Sequence, residues 1–336
     1  MAIYINSYAL ISSQSPLDEG FFHHPEVCSE PYVRAREANY QEFVSAIAAR
    51  RMGPILKRAI ATSVVALRNA GISDPDAIIF GTGLGCIDNT EKFLTAMIDN
   101  QESCLQPTFF INSTHNTVAS QVATFIKCHG YNSTYAHLGI SFESALMDGM
   151  MQMELGRINT ALVGGHDEMT PTYYKLFDKV GYWDAPLGEC AASFVLGTEP
   201  SEGSRCRLLD VLLSYSPSRE DIASAASGLL RKHGMETSDI SCVITGQNGD
   251  SRYDHSYDEF ITDVFGGQVA RCSYKDHFCE SFTAPAFGLA LGAEILHEGY
   301  IPQAYLCGGV APDTIRNILI VNSFHSTDWS LILLSL

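Results

Sequence analysis

The sequence predicts an α/β protein of five layers, α/β/α/β/α, built from two similar halves. Apolar strands alternate with helices along the chain, a pattern typical of mainly parallel sheets that helices cover on both faces. One helix–strand block occurs twice, at residues 145–165 and 289–309. A strand that runs into a glycine-rich turn also occurs twice, at residues 76–85 and 241–250. Because both pairs keep the same order, duplication explains them better than chance does.

The repeated block has the same internal order in each copy. It reads as an apolar helix, a glycine at the helix C-terminus, a short turn and a buried strand that ends in Gly-Gly. The capping glycines are Gly156 and Gly299. An apolar strand then closes each half, at residues 191–196 and 331–336.

The composition is that of a folded protein with a large core. Hydrophobic residues make up 46% and charged residues 18% of the 336 residues. The net charge of −17 disfavours nucleic acid as a partner, because an acidic surface repels phosphates. No segment reaches the ~18 apolar residues of a membrane span, and the N-terminus lacks the features of a signal peptide. We therefore expect a cytoplasmic protein whose halves, residues 1–200 and 201–336, form one continuous unit.

The cysteines and acidic clusters do not have the spacing of a metal site. The ten cysteines are scattered, no CxxC pair occurs, and Cys272 and Cys279, the closest pair, lack the spacing of zinc ligands. The segment DHSYDEF, residues 254–260, superficially resembles a metal cluster, but no second cluster supplies further ligands. An exposed helix start is the better interpretation. We expect reduced cysteines, no metal and no cofactor.

The glycine-rich turns do not match known nucleotide-binding or hydrolase motifs. The turn GTGLGC, residues 81–86, lacks the third glycine of a dinucleotide-binding loop. Neither a GxxxxGK[ST] loop nor a GxSxG elbow occurs in the sequence. The adjacent carboxylates Asp167 and Glu168 are ordinary at a strand end, so acid–base catalysis is not expected of them.

Five segments, in this order, resemble the β-ketoacyl synthases of fatty-acid and polyketide assembly. They are similar to the family's RRM helix, the strand and turn after it, the AGGAE strand, the GEGAG strand and the closing NSFGFGGTN hairpin. The matching stretches are residues 50–72, IIFGTGLG (78–85), TALVGGHDEMTP (160–171), PLGECAASFVLG (186–197) and VNSFHSTDWSLIL (321–333). The resemblance spans nearly the whole chain and implies the thiolase-like form of the five-layered fold.

The nucleophile of that family is replaced here. The resemblance implies a cysteine at the start of the helix after a GPSxxxxxAC strand, where the helix N-terminus lowers the pKa of the thiol. The matching stretch is residues 130–145, and it places Gly139 at the nucleophile position. Cys128 lies eleven residues upstream, before the strand, and cannot substitute for it.

The two histidines that stabilise the enolate in the family are also replaced. Asn248 stands at the first position, and Glu280 fits the second position best, with His277 and Cys279 close by. The family's GFGG loop is replaced by HSTD, residues 325–328. An ionised carboxylate opposes the negative charge that develops on an enolate. No catalytic residue is therefore expected at these positions.

Loss of the cysteine is the mark of chain length factors, which pair with an active synthase and shape the tunnel into which the product grows. Among such proteins, the sequence resembles the chain-length-factor-like subunits of aryl polyene and flexirubin-type pigment clusters. Residues 109–132 resemble the interface helix and strand of such heterodimers. Two alternatives stay open: an active 3-oxoacyl synthase or acyltransferase rewired around Cys279, His277 or Cys128, and, with less support, a malonyl decarboxylase.

Several side chains are candidates for the shared tunnel or interface. They are Phe110, Thr114, His115, Asn116 and His137. Helix N-capping by Thr114 or Asn116, together with interface packing, is the simpler interpretation for the three consecutive residues. For His137, a buried core histidine is the simpler interpretation.

A basic stretch, residues 34–68, holds seven basic residues and two acidic ones. Within it, Arg50, Arg51, Lys57 and Arg58 could dock an acidic acyl carrier protein. A solvated helix face with local salt bridges is the simpler interpretation.

Overall fold

A computed structural model describes residues 2–50, 52–103 and 105–336. The strands in these ranges are β1 (Ile3–Ile11), β2 (Tyr32–Val33), β3 (Ala77–Gly81), β4 (Tyr131–Tyr135), β5 (Thr160–Asp167), β6 (Leu187–Gly188), β7 (Cys190–Gly197), β8 (Cys206–Tyr215), β9 (Cys242–Thr245), β10 (Ala270–Ser273), β11 (Leu306–Gly308), β12 (Asn317–Phe324) and β13 (Asp328–Ser335). The α-helices are α1 (Ala46–Ala49), α2 (Pro54–Asn69), α3 (Ile87–Asp99), α4 (Pro107–Ile111), α5 (Thr117–Ile126), α6 (Ser141–Glu154), α7 (Pro171–Lys179), α8 (Arg219–Lys232), α9 (His255–Phe265), α10 (Lys275–Phe278) and α11 (Pro285–Glu298). Short 3-10 helices lie at Glu19–His23, Tyr40–Glu42, Leu138–Ile140 and Thr237–Asp239.

Eleven of these strands form one sheet in the order β11-β10-β9-β12-β13-β8-β1-β7-β5-β3-β4. The antiparallel pair β1 and β8 joins the two halves at the centre. Outward from the centre, β1-β7-β5-β3-β4 on one side matches β8-β13-β12-β9-β10 on the other, strand for strand in chain order. The two halves therefore share one topology, and β11 is an extra edge strand of the second.

The helices occupy three layers around the two halves of the sheet. Helices α6 and α11 lie between the halves and supply much of the largest hydrophobic core. Helices α2 and α5 cover the outer face of the first half, and α8 and α9 cover that of the second. The predicted five-layered α/β/α/β/α arrangement is confirmed. The predicted division at residue 200 falls between β7 and β8 and stays a prediction.

The two helices predicted for the repeated block are confirmed, but the strand predicted for its second copy is wrong. Helices α6 and α11 are equivalent, and Gly156 and Gly299 follow them with the positive φ angles of helix-ending glycines, 64° and 73°. Residues 304–309, however, do not form a buried strand. They contribute only β11, an edge strand whose Cys307 is exposed. The true counterpart of β5 is β12, because β12 pairs in parallel with β9 as β5 pairs with β3. The Gly-Gly ending that residues 304–309 share with β5 suggested that the two strands are equivalent. Strand pairing in the sheet, which decides equivalence, is not visible in such a short local similarity.

The remaining expectations about local structure concern helix starts and membrane spans. The segment DHSYDEF begins α9, with Asp254 at the N-cap position, as predicted. Within the described ranges, no group of three or more His, Cys, Asp or Glu side chains is placed to hold a metal ion. None of the helices in those ranges is both long and apolar enough to cross a membrane.

Candidate functional site

Gly139, at the predicted nucleophile position, lies in the 3-10 turn that leads into α6. A Cβ atom added there would lie 2.2 Å from Cδ2 and 2.3 Å from Cγ of Phe324. Such distances are far shorter than van der Waals contact, and the Phe324 ring itself is buried. The position therefore has no room for a cysteine side chain unless Phe324 moves.

Asn248 and Glu280, the residues at the two predicted histidine positions, contact each other. Asn248 Nδ2 donates a hydrogen bond of 2.6 Å to Glu280 Oε2. The same oxygen lies 2.7 Å from Lys275 Nζ, and the side chains of this ion pair are only 3% and 7% exposed. Because Lys275 compensates the carboxylate, the charge is tolerated in the interior. A carboxylate that is already paired offers no proton donor to an enolate oxygen.

A buried polar network connects this ion pair to Gly139. Asn322, on β12, accepts a hydrogen bond from Lys275 Nζ at 3.4 Å and donates to the Gly139 carbonyl oxygen at 3.4 Å. Asn322 Nδ2 also donates to Glu143 Oε1 at 3.1 Å. Burial raises the pKa of Glu143 to about 7. The three residues at the predicted catalytic positions thus belong to one hydrogen-bonded network.

Sequence reasoning missed three members of this network: Lys275, Asn322 and Glu143. Lys275 and Asn322 lie inside stretches that the sequence comparison had aligned, five residues before Glu280 and at the start of the NSF motif. Nothing in the sequence indicated that these two side chains are buried or which hydrogen bonds they make. Glu143 lies one turn after Gly139, where an acidic residue in the first turn of α6 was the available clue.

Aromatic rings fill the space beside Gly139. Trp183 packs against Phe282 at 4.8 Å between ring centroids, and Phe282 packs against Phe324 at 5.7 Å. Tyr182 and Phe177 complete what we call the aromatic cluster, residues Phe177, Tyr182, Trp183, Phe282 and Phe324. The interior next to the predicted nucleophile position is therefore packed rather than open.

The same cluster explains one glycine of the GTGLGC turn. A Cβ atom at Gly83 would lie 2.3 Å from Cβ and Cγ of Phe282. Glycine is needed there so that the backbone of the turn can approach the ring. The turn thus serves ring packing, which agrees with its lack of a nucleotide-binding pattern.

The HSTD residues that replace the family's glycine-rich loop form the tight turn between β12 and β13. His325 and Ser326 take left-handed φ angles of 51° and 58°. The His325 ring stacks on Phe324 at 4.3 Å and on Tyr253 at 4.6 Å. Ring stacking thus anchors this turn over the aromatic cluster.

The groups proposed for a rewired catalytic site are not placed for it. Cys279 is buried, and its hydrogen bond with Cys28, together with burial, raises the pKa of its thiol. Burial likewise raises the pKa of Cys128, whose thiol lies 3.2 Å from the Pro75 carbonyl oxygen. His277 is buried, with each ring nitrogen 3.2 Å from a backbone carbonyl oxygen.

The tunnel and interface candidates lie on the surface of the chain. Phe110 is 58% exposed on α4, and Thr114, His115 and Asn116 are exposed just before α5. The Asn116 side chain makes no capping hydrogen bond, so that expectation is wrong for Asn116. Thr114 bonds instead to the Thr117 hydroxyl, at 3.1 Å.

His137 is exposed, which contradicts the expectation of a core histidine. Its Nδ1 lies 3.0 Å from Ser144 Oγ on α6. The reason is that β4, just before it, is the outermost strand of the sheet, so the chain leaves the core at this point.

Exposed apolar side chains occur on β4 and on the helices that contact it. Within the part of the chain that the structure describes, β4 pairs with β3 alone, which leaves one side of its backbone unpaired. We use the name edge surface for the exposed apolar side chains of β4, of α5 and α6, which contact it, and of α4 and the turns next to α6: Phe110, Ile111, Phe125, Tyr131, Leu138, Met151 and Leu155. Exposed apolar groups beside an open strand edge are typical of a protein–protein contact.

One of the predicted carrier-docking residues faces the interior. Arg58 is buried, 2.9 Å from Glu189 and 2.7 Å from Glu37, so its assignment to docking is wrong. The one-dimensional charge pattern could not show that this residue faces inward. Arg50 is exposed, Lys57 is half-buried over the Tyr40 ring, and Arg51 lies outside the described residues.

Comparisons with known proteins agree with the fold. Residues 26–238 match the family model of the N-terminal domain of β-ketoacyl synthases. A β-ketoacyl synthase from Burkholderia phymatum STM815 superposes with a TM-score of 0.85 at 15% identity, covering 99% of each chain. The ishigamide ketosynthase/chain length factor gives 0.82 at 16%, covering 99% of this chain and 98% of the other.

A third solved structure holds the ketosynthase ApeO in complex with its chain length factor ApeC from Xenorhabdus doucetiae. It gives a TM-score of 0.79 at 16% identity, covering 100% of this chain and 98% of the other. No curated protein sequence matches significantly. At these identities, the structural likeness establishes the fold.

Proposed function

Because this chain belongs to the β-ketoacyl synthase family, we propose that it is a subunit of the chain-length-factor type, which partners an active synthase without condensing acyl chains itself. In this role it would shape the tunnel that receives the growing chain in type II polyketide or fatty-acid-like biosynthesis. An aryl polyene pathway is the finer assignment that we propose.

The observation that carries the proposal is the closed nucleophile position. Condensation by this family begins with transfer of an acyl group to a cysteine thiolate, and Gly139 has neither a thiol nor room for one beside Phe324. Asn248 and Glu280, at the two predicted histidine positions, carry no imidazole to stabilise an enolate, and Glu280 is already paired with Lys275. The predicted site therefore has neither the thiol needed for acyl transfer nor the imidazoles needed for enolate stabilisation.

The edge surface supports the proposed pairing with another subunit. An unpaired strand edge with exposed apolar side chains on the strand and on the helices that contact it is costly to leave in water. We propose that an active synthase covers it, with Phe110, Thr114, His115 and Asn116 facing the shared tunnel and His137 at its rim. An acyl carrier protein is the proposed second partner, with the exposed Arg50 as a candidate contact.

The proposed place of action is the cytoplasm. The nine described cysteines are all free thiols, which fits a reducing compartment. No structural disulfide is needed to explain the packing of the residues described.

Co-expression with candidate active synthases tests the pairing. We expect a 1:1 complex on gel filtration with mass measurement, and loss of that complex when Phe110→Asp and Ile111→Asp are combined. Val310→Asp is the matched control, because Val310 is 83% exposed but lies outside the edge surface. A stable homodimer that binds none of the candidate synthases would contradict the proposal.

Intact-mass measurement tests the absence of chemistry separately. The isolated chain, incubated with acyl-loaded and malonyl-loaded carrier protein, is expected to gain no acyl group and release no carbon dioxide. An acyl adduct that disappears in Cys279→Ala would establish the rewired enzyme instead.

A further inference from the structure

A cavity of about 360 Å³ lies beside the aromatic cluster. Its walls come from two separate parts of the chain, namely α7 with the loop that follows it, and the segment just before β2. The backbone N–H of Leu187 donates to the Pro31 carbonyl oxygen at 2.9 Å, which fastens these two walls to each other. The volume lies near the lower end of the about 300–1,000 Å³ that is usual for ligand sites, so it fits a small molecule.

Three aromatic side chains line this cavity, and neighbouring groups hold them in place. Tyr174 stacks on Tyr32 at 5.4 Å between ring centroids, with 13° between the ring planes. Tyr32 in turn donates a hydrogen bond of 2.7 Å to the Met169 carbonyl oxygen. Phe177 and Trp183 meet edge to face, at 5.3 Å and 65°. Rings that are fixed in this way can attract a positive charge without first reorganising.

Two carboxylates, those of Asp178 and Asp184, belong to the same lining. Among the described residues, no lysine, arginine or histidine forms an ion pair with either carboxylate, and neither accepts a hydrogen bond. The guanidinium of Arg252, which donates to the Gly181 carbonyl oxygen at 2.8 Å, is paired with Asp250 instead. The two negative charges at the cavity therefore have no positive partner within the described part of the chain.

The Trp183 indole supplies an observation of a different kind. This side chain is only 8% exposed, and its Nε1–H donates to none of the described residues. The indole of Trp329, by contrast, donates to the Ser326 carbonyl oxygen at 3.3 Å. Trp183 Nε1 is also not one of the polar atoms that are fully enclosed without a partner. A largely buried N–H that is neither paired nor enclosed is free to bind an acceptor in the cavity that its ring lines.

We propose that this cavity binds a small organic cation, an alkylammonium group joined to a hydroxyl or carbonyl oxygen. The ammonium group lies against Tyr174 and Phe177, and the carboxylates of Asp178 and Asp184 compensate its charge. The oxygen accepts a hydrogen bond from the Trp183 indole. A phosphate group is disfavoured in the ligand, because both carboxylates oppose its charge. The net charge of −17 also raises the local concentration of cations.

The cavity is separate from the predicted catalytic positions. Phe282 packs against Trp183 at 4.8 Å and against Phe324 at 5.7 Å, so that packed rings lie between the cavity and Gly139. The inference therefore does not depend on the proposed function. A chain that pairs with no synthase can still bind the cation, and a chain that binds no cation can still pair.

Calorimetric titration of the full-length chain tests the site with choline and two matched probes. Choline should bind as one molecule per chain. Dimethylbutanol, its uncharged carbon isostere, keeps the shape and the hydroxyl group and should bind about tenfold more weakly, because it lacks the charge. Phosphocholine should also bind more weakly than choline. Equal affinities of choline and dimethylbutanol, or no binding of choline at millimolar concentration, would overturn the proposal.

Three substitutions of nearly equal volume separate the charge from the fold. Asp178→Asn and Asp184→Asn each remove one charge from an exposed position, so each should weaken choline binding several-fold and leave dimethylbutanol binding unchanged. Asp313→Asn is the matched control, because Asp313 is likewise exposed but does not line the cavity. Wild-type affinity for choline in both Asp178→Asn and Asp184→Asn would show that these carboxylates do not bind the cation.

Tryptophan fluorescence locates the ligand within the chain. The sequence holds two tryptophans, Trp183 and Trp329, and Trp183 is the one that lines this cavity. Choline should change the emission of the wild-type chain and of Trp329→Phe, and should leave that of Trp183→Phe unchanged. A change that persists in Trp183→Phe would place the ligand elsewhere and contradict the assignment.

Discussion

Phe324 and Gly139 illustrate how a single residue type is dictated by a partner far away in the sequence. The Phe324 ring occupies the volume that a side chain at position 139 would need. It is buried and held between Phe282 and His325. Packing therefore requires glycine at position 139. Glycine also has no side chain that could act as a nucleophile.

Gly139→Ala should lower the free energy of unfolding by about 2 kcal/mol, because overpacking a buried site costs about 1–3 kcal/mol. In a Phe324→Ala background the same substitution should cost much less, which gives a positive coupling energy in a double-mutant cycle measured by urea denaturation. Gly228→Ala is the control: nothing lies within 4 Å of its added Cβ in α8, so stability should rise slightly. Equal costs of Gly139→Ala in both backgrounds would disprove the clash.

His166 is a second residue whose environment determines its chemistry. It is completely buried beside Phe80, and neither ring nitrogen has a hydrogen-bond partner among the described residues. Burial lowers its pKa from 6.5 to about 3, because the interior disfavours the charged imidazolium. The folded protein thus keeps this histidine neutral at pH values where the unfolded chain protonates it.

The stability that His166 contributes should be present above pH 6.5 and be lost as the pH falls toward 3. Relative to wild type, His166→Leu should therefore gain about 1.4 kcal/mol per pH unit below pH 6, measured by denaturant unfolding from pH 8 to pH 4. Glu143 and Glu168, whose pKa values are raised to about 7, act in the opposite direction but are common to both proteins. A stability difference that does not vary with pH would contradict this assignment.

At the scale of elements, the carboxylates at the end of β5 position loops and helices. Asp167 Oδ1 accepts hydrogen bonds from the backbone N–H groups of Gly83 and Leu84 in the glycine-rich turn. Glu168 accepts from the N–H of Ile55 at the start of α2 and from that of Asp88 at the start of α3. Carboxylates at helix N-termini satisfy unpaired N–H groups and interact favourably with the helix dipole. The structure thus gives both residues a structural role.

Glu168→Ala should destabilise the fold by about 2 kcal/mol, since it removes the acceptor of two helix N-termini and each cap contributes about 0.5–2 kcal/mol. Glu168→Gln keeps one carbonyl oxygen and nearly the same volume, so its cost should be roughly half as large. Chemical denaturation at pH 8 measures both. Identical losses for the two variants would mean that volume, rather than hydrogen bonding, sets the cost.

At the scale of the whole molecule, the two halves share one core. The largest hydrophobic cluster contains Phe142 and Leu146 from α6 together with Phe287 and Leu291 from α11. Tyr8 on β1 donates a hydrogen bond of 2.5 Å to Glu294 on α11, across the same boundary. Neither half can bury its central helix without the other.

Residues 1–200 expressed alone should therefore show no cooperative thermal unfolding and should bind hydrophobic dyes. Co-expression with residues 201–336 should yield a complex that co-purifies and unfolds in one transition. Calorimetry of both samples decides the matter. A cooperative transition of residues 1–200 alone would show instead that the halves are independent domains.

Much of the fold and part of the site could be predicted from local patterns. The periodicity of helices and strands, the glycines that cap helices and the repeated helices can each be recognised within a short stretch of sequence. The pairing of β12 with β9, the burial of Arg58 and the exposure of His137 depend on residues that are distant in sequence. Local patterns do not report such contacts, and these are the positions where the predictions were wrong.

The sequence by itself determined the five-layered fold and the absence of a cysteine at Gly139. Only the tertiary structure decided that Phe324 fills the position and that Lys275 neutralises Glu280. The physical reason is that residue identity excludes a reaction directly, because glycine has no nucleophile. Whether a site is open or packed depends instead on side chains that folding brings together from strands far apart in the chain.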